Sequence, residues 1–262
     1  MEITRSNPFK ISLSEGADPR VVEAAVKAVN LGIAKIILIG NSAKIKERLE
    51  QYSCSKPDHI ELHDPITSPL KEEFSKSFYN LRKHKGITRS EAEKQVASNL
   101  VYAALLVKHG YADGTLSGSV ETTSNVVKTA LWVIGKATNV NTVSSCFLIF
   151  PKTYEPMIYA DCGLVIEPNE SELVDITMAA SQTCKALLKS DPRVALLSFS
   201  TKGSANHRNI EKTVGALKKL KELLPDLLID GELQFDAAID SVVGSKKAPA
   251  SKVAGNANVM IF

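Results

Sequence analysis

The chain has 262 residues, of which 44% are hydrophobic and 23% charged, and its formal net charge is +3. This length suits one large α/β unit or two modest domains, because domains usually hold about 100–200 residues. The weak charge is not pooled into one basic tract, which argues against nucleic acid as a partner.

In the first half of the chain, short apolar runs alternate with helical patterns. Strands are predicted over residues 10–13, 35–39, 60–62 and 113–117. Asp18 and Pro19 are typical of a helix start, and that helix is predicted to run to Leu31. A second helix is predicted over residues 43–51. One long helix is predicted over residues 88–109, with Thr88 and Glu91 as a capping box, and another over residues 122–134.

The pattern changes near residues 138–141. Two strands, 143–150 and 157–160, are predicted to form an antiparallel pair. Asn169 and Glu172 are predicted to cap a helix that ends near Lys189. A strand over residues 193–200 and a Lys-rich helix over residues 208–224 follow. Further strands are predicted over residues 227–230 and 258–262.

Strand–helix alternation of this kind predicts mainly parallel sheets with helices on both faces. The change of pattern places a predicted domain boundary between residues 138 and 139. We therefore expect a first α/β domain over residues 1–138 and a second over residues 139–262. The last strand is apolar and nothing follows it, so we expect it to lie uncovered or against a partner.

Two strand-to-helix loops are candidate anion sites, because parallel sheets bind ligands at the carboxyl ends of their strands. Residues 197–206 offer hydroxyls, Lys202 and Gly203 before a helix, and backbone N–H groups there would suit a phosphate or carboxylate. Residues 113–124 offer small residues and hydroxyls. A polar helix cap and a hydroxyl-capped turn are the structural alternatives. Neither a G-x-x-x-x-G-K-[ST] nor a G-x-G-x-x-G motif is present, so a nucleoside triphosphate or nicotinamide cofactor is not indicated.

Basic and metal-binding patterns are weaker. Residues 82–86 are a basic cluster that is either solvated or a clamp for a phosphate-bearing tail, and Lys128 is either a surface lysine or an anion contact. His59 and His63 share no helix face, so we predict no metal site. The four cysteines show no C-x-x-C pair, which favours free thiols in a reducing compartment. With no apolar signal region and no membrane-length run, we expect a cytoplasmic protein without membrane contact.

Several strings occur together in a recognisable order. They are L-R-K-H-K-G-I-T at 81–88, V-S-S-C-F at 143–147, A-D-C at 160–162, L-S-F-S-T-K-G-S-A at 197–205, D-G-E-L-Q at 230–234 and N-A-N-V at 256–259. With them, the chain resembles the phosphate acetyltransferases of the phosphate acetyl/butyryl transferase family.

That resemblance implies an isocitrate/isopropylmalate-dehydrogenase-like, two-domain, three-layer αβα fold, usually dimeric. It implies reversible acetyl transfer between coenzyme A and phosphate by direct thiolate attack on acetyl phosphate, with no metal and no permanently bound cofactor. The implied partners are coenzyme A (CoA), acetyl phosphate, phosphate and a second copy of the chain.

The resemblance also implies roles for individual residues. Arg82 matches an arginine implicated in CoA binding, and Lys128 stands where another arginine is frequent, so the charge is kept but the bidentate fork is lost. Glu121 stands where histidine is common. Hydroxyls expected to face the substrates are Thr122, Thr123, Ser144 and Ser145, and Thr201 and Lys202 are expected at the phosphate-binding loop.

Family members continue past the strand at 258–262, with a Ser-Arg-Gly segment and a later aspartate that are the expected carbonyl binder, phosphate binder and base. We therefore expect a C-terminally truncated chain with both domains incomplete, impaired activity and no catalytic residue that can be named. The alternatives are a non-catalytic acyl-CoA-binding or regulatory module and a phosphate butyryltransferase.

Overall fold

The computed structural model describes residues 7–138 and 140–262. The chain separates into two compact units, Met1–Gly135 and Lys136–Phe262. The predicted domain boundary adjoins Asn139, which lies outside the described residues, as does the polar N-terminus at residues 1–6; the assignment of domains stays a prediction. Each unit is described by itself below.

The first unit is built on a four-stranded, fully parallel sheet. Its strands are β1 (Phe9–Leu13), β2 (Ala34–Ile39), β3 (Ile60–His63) and β4 (Gly114–Leu116), in the order β3-β2-β1-β4. Residues 36–39 of β2 are all buried, because helices cover both faces of the sheet and leave no side for polar residues. The four predicted strands are confirmed, with β4 shorter than predicted.

Helices of the first unit are α1 (Pro19–Asn30), α2 (Ser42–Leu49), α3 (Lys71–Arg82), α4 (Arg89–Val96), α5 (Asn99–Lys108) and α6 (Thr123–Val133). Asp18 caps α1 as predicted, its carboxylate accepting from the backbone N–H of Arg20. The sequence did not reveal α3, although its residues Phe74 and Phe78 are fully buried.

The prediction of one long helix over residues 88–109 is wrong. Thr88 and Glu91 do form the predicted capping box, but α4 ends at Val96 and α5 begins at Asn99, with extended backbone at Ser98 between them. The physical reason lies in burial: α4 is mostly exposed, whereas residues 100–106 of α5 are all buried. A bend at Ser98 lets α5 enter the core while α4 stays at the surface.

The second unit holds a five-stranded sheet in the order β5-β6-β9-β7-β8. Its strands are β5 (Cys146–Ile149), β6 (Met157–Ala160), β7 (Arg193–Leu197), β8 (Leu228–Leu233) and β9 (Val259–Ile261). As predicted, β5 and β6 are antiparallel, and the other neighbours are parallel. The helices are α7 (Glu170–Thr183), α8 (Arg208–Leu223), α9 (Phe235–Ile239) and α10 (Ser241–Lys247), and a π-helical turn (Cys184–Leu188) extends α7.

The expectation that the last strand lies uncovered is wrong. β9 is inserted between β6 and β7, and all three of its residues are at most 1% exposed. Val259 and Ile261 pack into the core on one face of the sheet and Met260 into the core on the other. An apolar strand at the end of a chain is stable when the sheet leaves a central position for it, which periodicity alone does not show.

Candidate functional site

At the carboxyl edge of the first sheet, Glu15 organises the loop that follows β4. Its carboxylate accepts hydrogen bonds from the backbone N–H groups of residues 118–121 at 2.7–3.3 Å. Burial raises the pKa of Glu15, but these backbone donors outweigh it and leave the pKa below its usual value. The predicted small-residue loop therefore already holds an anion, and that anion is the protein's own carboxylate.

The two predicted threonines begin helix α6. Thr122 is its N-cap, and its Oγ1 accepts from the backbone N–H of Asn125 at 3.2 Å. Thr123 is the first helical residue, and both threonines are exposed. The neighbouring Glu121 accepts a hydrogen bond from the Asn125 side chain at 3.0 Å. The loop whose backbone donates to Glu15 thus leads directly into α6, the helix that carries Lys128.

The two predicted CoA-binding cations meet at one tryptophan. The guanidinium carbon of Arg82 lies 4.7 Å from the ring centroid of Trp132, and the Lys128 Nζ lies 5.0 Å from it. Lys128 and Trp132 are four residues apart on α6, a spacing that places them on one helix face. Among the described residues, neither Arg82 nor Lys128 forms an ion pair.

Arg82 and Trp132 line a cavity of about 300 Å³ in the first unit. Arg82 ends α3, and the basic segment continues as a short 3₁₀ turn that Gly86 closes in a left-handed conformation, with φ of +81°. Lys85 and Arg82 supply positive charge to the cavity, and Glu91 is its acidic group. The Glu91 carboxylate accepts hydrogen bonds from the backbone N–H and the hydroxyl of Thr88, both at 2.8 Å, and so forms part of the cap of α4.

In the second unit, the two predicted serines precede β5. Ser145 donates its backbone N–H and its hydroxyl to Asp161 at 2.7 and 2.8 Å, and Asp161 also accepts from the backbone N–H groups of Gly163 and Leu164. Burial raises the pKa of Asp161, but these hydrogen bonds outweigh it and lower the pKa overall. Ser144 is half-buried. The Asp161 carboxylate therefore connects the start of β5 to the end of β6 through hydrogen bonds.

The loop after β7 uses its backbone donors internally. The backbone N–H groups of residues 201–205 all donate to groups of the protein, which are the Ser204 and Ser200 hydroxyls, the Thr201 carbonyl and two oxygens of Glu232. Glu232 is 3% exposed and also accepts from the Ser200 hydroxyl at 2.9 Å. The backbone N–H groups that were predicted to bind a phosphate thus all donate to the protein itself in this conformation.

The side chains of Thr201 and Lys202 are also engaged. Thr201 is buried, and its Oγ1 exchanges hydrogen bonds with Gln234. The Lys202 ammonium forms an ion pair with Asp230 and donates to the Gly231 carbonyl at 2.9 Å. Burial raises the pKa of Asp230, but the hydrogen bond from Lys202 and other donors lower it overall. Lys202 therefore links the loop to the end of the next strand.

The structure thus brings together some predicted residues and adds others. Arg82 and Lys128 converge within the first unit, and Thr201 and Lys202 share one network within the second. Sequence reasoning missed Glu15 and Trp132. The signal for Trp132 was its position four residues after Lys128 as the chain's single tryptophan, and nothing local marked Glu15. In the described part of the chain, no group of three or more His, Cys, Asp or Glu residues could hold a metal ion.

Comparison with known proteins agrees with the fold and with the strings noted in the sequence. The family model "Phosphate acetyl/butaryl transferase" matches residues 1–262. A phosphate acetyltransferase of Thermoanaerobacterium thermosaccharolyticum is 41% identical over 267 residues, covering 100% of this chain and 80% of that protein. One of Clostridium acetobutylicum is 40% identical with the same coverage.

Solved structures agree as well. A phosphotransacetylase from Streptococcus pyogenes superposes with a TM-score of 0.92 at 35% identity, covering 100% of this chain and 79% of that one. A putative 4-hydroxythreonine-4-phosphate dehydrogenase from Salmonella typhimurium shares the fold alone, with a TM-score of 0.53 at 10% identity. The fold is thus the predicted dehydrogenase-like α/β class. The chain belongs to the phosphate acetyl/butaryl transferase family, and the predicted enzyme class, acyltransferase, is confirmed.

Proposed function

We propose that this protein binds CoA through Arg82 and Lys128 and transfers an acetyl group between CoA and inorganic phosphate. The observation that carries the proposal is the convergence of these two cations on Trp132 beside one cavity. The family resemblance independently implies a CoA-binding role for both residues. Cations without a carboxylate partner keep their charge available for the phosphates of a ligand.

The proposed reaction is a direct transfer in a ternary complex. The CoA thiolate attacks the carbonyl carbon of acetyl phosphate, a C–S bond forms, and the bond from the carbonyl carbon to the phosphate oxygen breaks. Phosphate leaves with that electron pair, and the thiol proton passes to a base. No step requires a permanently bound cofactor, and CoA is consumed as a substrate.

The remaining predicted residues take part in the proposal with roles that their contacts suggest. The Lys202 ammonium donates two of its three N–H groups to Asp230 and Gly231, and the third can donate to a phosphate. Thr201 is buried and acts on substrate only by fixing the loop that carries Lys202. We propose that the exposed hydroxyls of Thr122 and Thr123, and the Ser144 hydroxyl, contact substrate directly. Ser145 then acts by holding Asp161.

The test is thioester formation from acetyl phosphate and CoA, with CoA affinity measured in parallel by calorimetry. We expect Arg82→Ala to weaken CoA binding about tenfold to a hundredfold, the loss of about 1.5–3 kcal/mol for a charged hydrogen-bonding partner. Arg89→Ala is the matched control, because Arg89 also lies over an aromatic ring, that of Tyr79 at 5.6 Å, but is absent from the cavity wall. Equal effects of the two substitutions would contradict the proposal.

The same measurements separate the alternatives. CoA binding without turnover would favour a non-catalytic acyl-CoA-binding module over an acetyltransferase. Faster reaction with butyryl phosphate than with acetyl phosphate would favour a phosphate butyryltransferase. Absence of CoA binding at millimolar concentration would remove all three readings, because each of them requires CoA.

We propose further that the protein is a cytoplasmic homodimer. Within residues 7–138 and 140–262, every helix is too short or too polar to traverse a lipid bilayer. Sedimentation analysis tests the dimer, with a monomer at micromolar concentration as the contradicting result. Fractionation of cells tests the location.

A further inference from the structure

Trp132 is central to the candidate CoA site, although neither the sequence nor the family resemblance assigned it a role. We propose that Trp132 is a positioning residue: its indole holds Arg82 and Lys128 beside one cavity, so that both cations meet the phosphates of a single nucleotide ligand. The inference rests on the proposed function and names the part of CoA that this surface recognises.

The geometry supports an aromatic anchor for both cations. They belong to different helices, Arg82 to the last turn of α3 and Lys128 to α6, and both cations lie over the ring of Trp132. Tryptophan is the best of the natural aromatic rings for a cation over its face. The half-buried indole also lines the cavity together with Arg82 and Lys85.

Electrostatics supports a role in ligand binding rather than in stability alone. Two cations held near one ring repel each other, and a stabilising arrangement would place a carboxylate between them. The acidic group of this cavity, Glu91, is engaged with Thr88 instead. Lys85 adds a second positive charge on the cavity wall beside that of Arg82, and Lys128 adds another at the Trp132 ring. These three cations outnumber the one carboxylate of the wall, so the net charge there is positive and suits a ligand with several phosphates.

This chemistry distinguishes the parts of CoA. The nucleotide end carries a 3′-phosphate and a diphosphate, whereas the pantetheine end has no charge for these cations to bind. When phosphates bind Arg82 and Lys128 beside the ring, the environment of the indole changes. Because Trp132 is the chain's single tryptophan, intrinsic tryptophan fluorescence reports on this site alone.

The experiment titrates the 262-residue protein with CoA, adenosine 3′,5′-bisphosphate and pantetheine, following fluorescence and calorimetry. We expect CoA and the bisphosphate to change the fluorescence, and pantetheine to leave it unchanged. Trp132→Leu should weaken CoA binding about tenfold, because two long side chains without their shared anchor must then be ordered on binding. Trp132→Phe should weaken it less because a ring is retained. Pantetheine binding should not differ among the variants.

The outcomes separate this inference from the proposed function. If the unaltered protein binds CoA and Trp132→Leu, shown to be folded by circular dichroism, binds it equally well, the inference is wrong and the proposed function stands. Equal weakening of pantetheine and CoA would indicate a merely structural role and would also overturn it. No CoA binding by the unaltered protein would overturn both. Should Trp132→Leu fail to fold, the fluorescence titration and Trp132→Phe decide the question.

Discussion

The carboxylate of Glu15 should contribute strongly to the stability of the first unit, and Glu15→Ala tests this. Four backbone N–H groups converge on it, and hydrogen bonds to a charged acceptor contribute about 1.5–3 kcal/mol each at most. Residues 118–120 are exposed, so water can accept hydrogen bonds from their N–H groups once the carboxylate is removed. The loss is therefore much smaller than the sum of four separate hydrogen bonds. We expect a total loss of about 2 kcal/mol in the free energy of unfolding.

Urea unfolding at pH 7, followed by the fluorescence of Trp132, measures this loss in the unit that contains Glu15. Glu23→Ala is the control, because Glu23 forms only an exposed i,i+4 ion pair with Lys27, which contributes little to stability. The pKa of Glu15 is lower in the folded protein than its ordinary value of 4.5, because four backbone N–H groups donate to the carboxylate. The extra stability is therefore complete above pH 4.5 and is lost as the pH falls through the folded-state pKa. Equal losses for the two variants, or a difference that persists at low pH, would refute this reasoning.

Three further predictions concern other contacts. Ile261→Ala should destabilise the second unit by about 2–4 kcal/mol, because it opens a cavity beside a central strand. The control Phe262→Ala, at a 53% exposed position, should destabilise it by under about 1 kcal/mol. Equal losses in urea unfolding would argue against the central placement of β9. Lys202→Met should lower the free energy of unfolding by about 1–2 kcal/mol near pH 7, a figure that allows for the partial exposure of the pair with Asp230. The loss should shrink at acid pH, because the pKa of Asp230 is lowered in the folded state. Thermal unfolding measures it, and a difference between variant and unaltered protein that does not change with pH would contradict the prediction. Thr88→Ala should cost about 1 kcal/mol through loss of the capping box, measured by hydrogen exchange in α4, where unchanged protection would contradict it.

The candidate site was predictable only in part. Arg82 and Lys128 could be named from the sequence because family strings and spacing mark them, but their shared contact with Trp132 could not. Contact between residues 82 and 132 depends on how α3 and α6 pack, and no local pattern encodes that packing. Conversely, the loop at residues 201–205 has the composition of an anion cradle, yet Glu232 and neighbouring hydroxyls occupy its donors.

Local structure follows from the amino-acid sequence wherever a short-range rule applies. The N-cap at Asp18, the capping boxes at Thr88 and Asn169, and the parallel α/β class all follow from short-range spacing and from apolar periodicity. The position of β9 in its sheet and the bend in the long helical pattern depend on tertiary packing. Tertiary packing also sets which carboxylates are already engaged, as Glu15 and Asp230 are. These outcomes depend on burial and on hydrogen bonds between residues far apart in the chain, such as Glu15 with the loop that begins at Gly118.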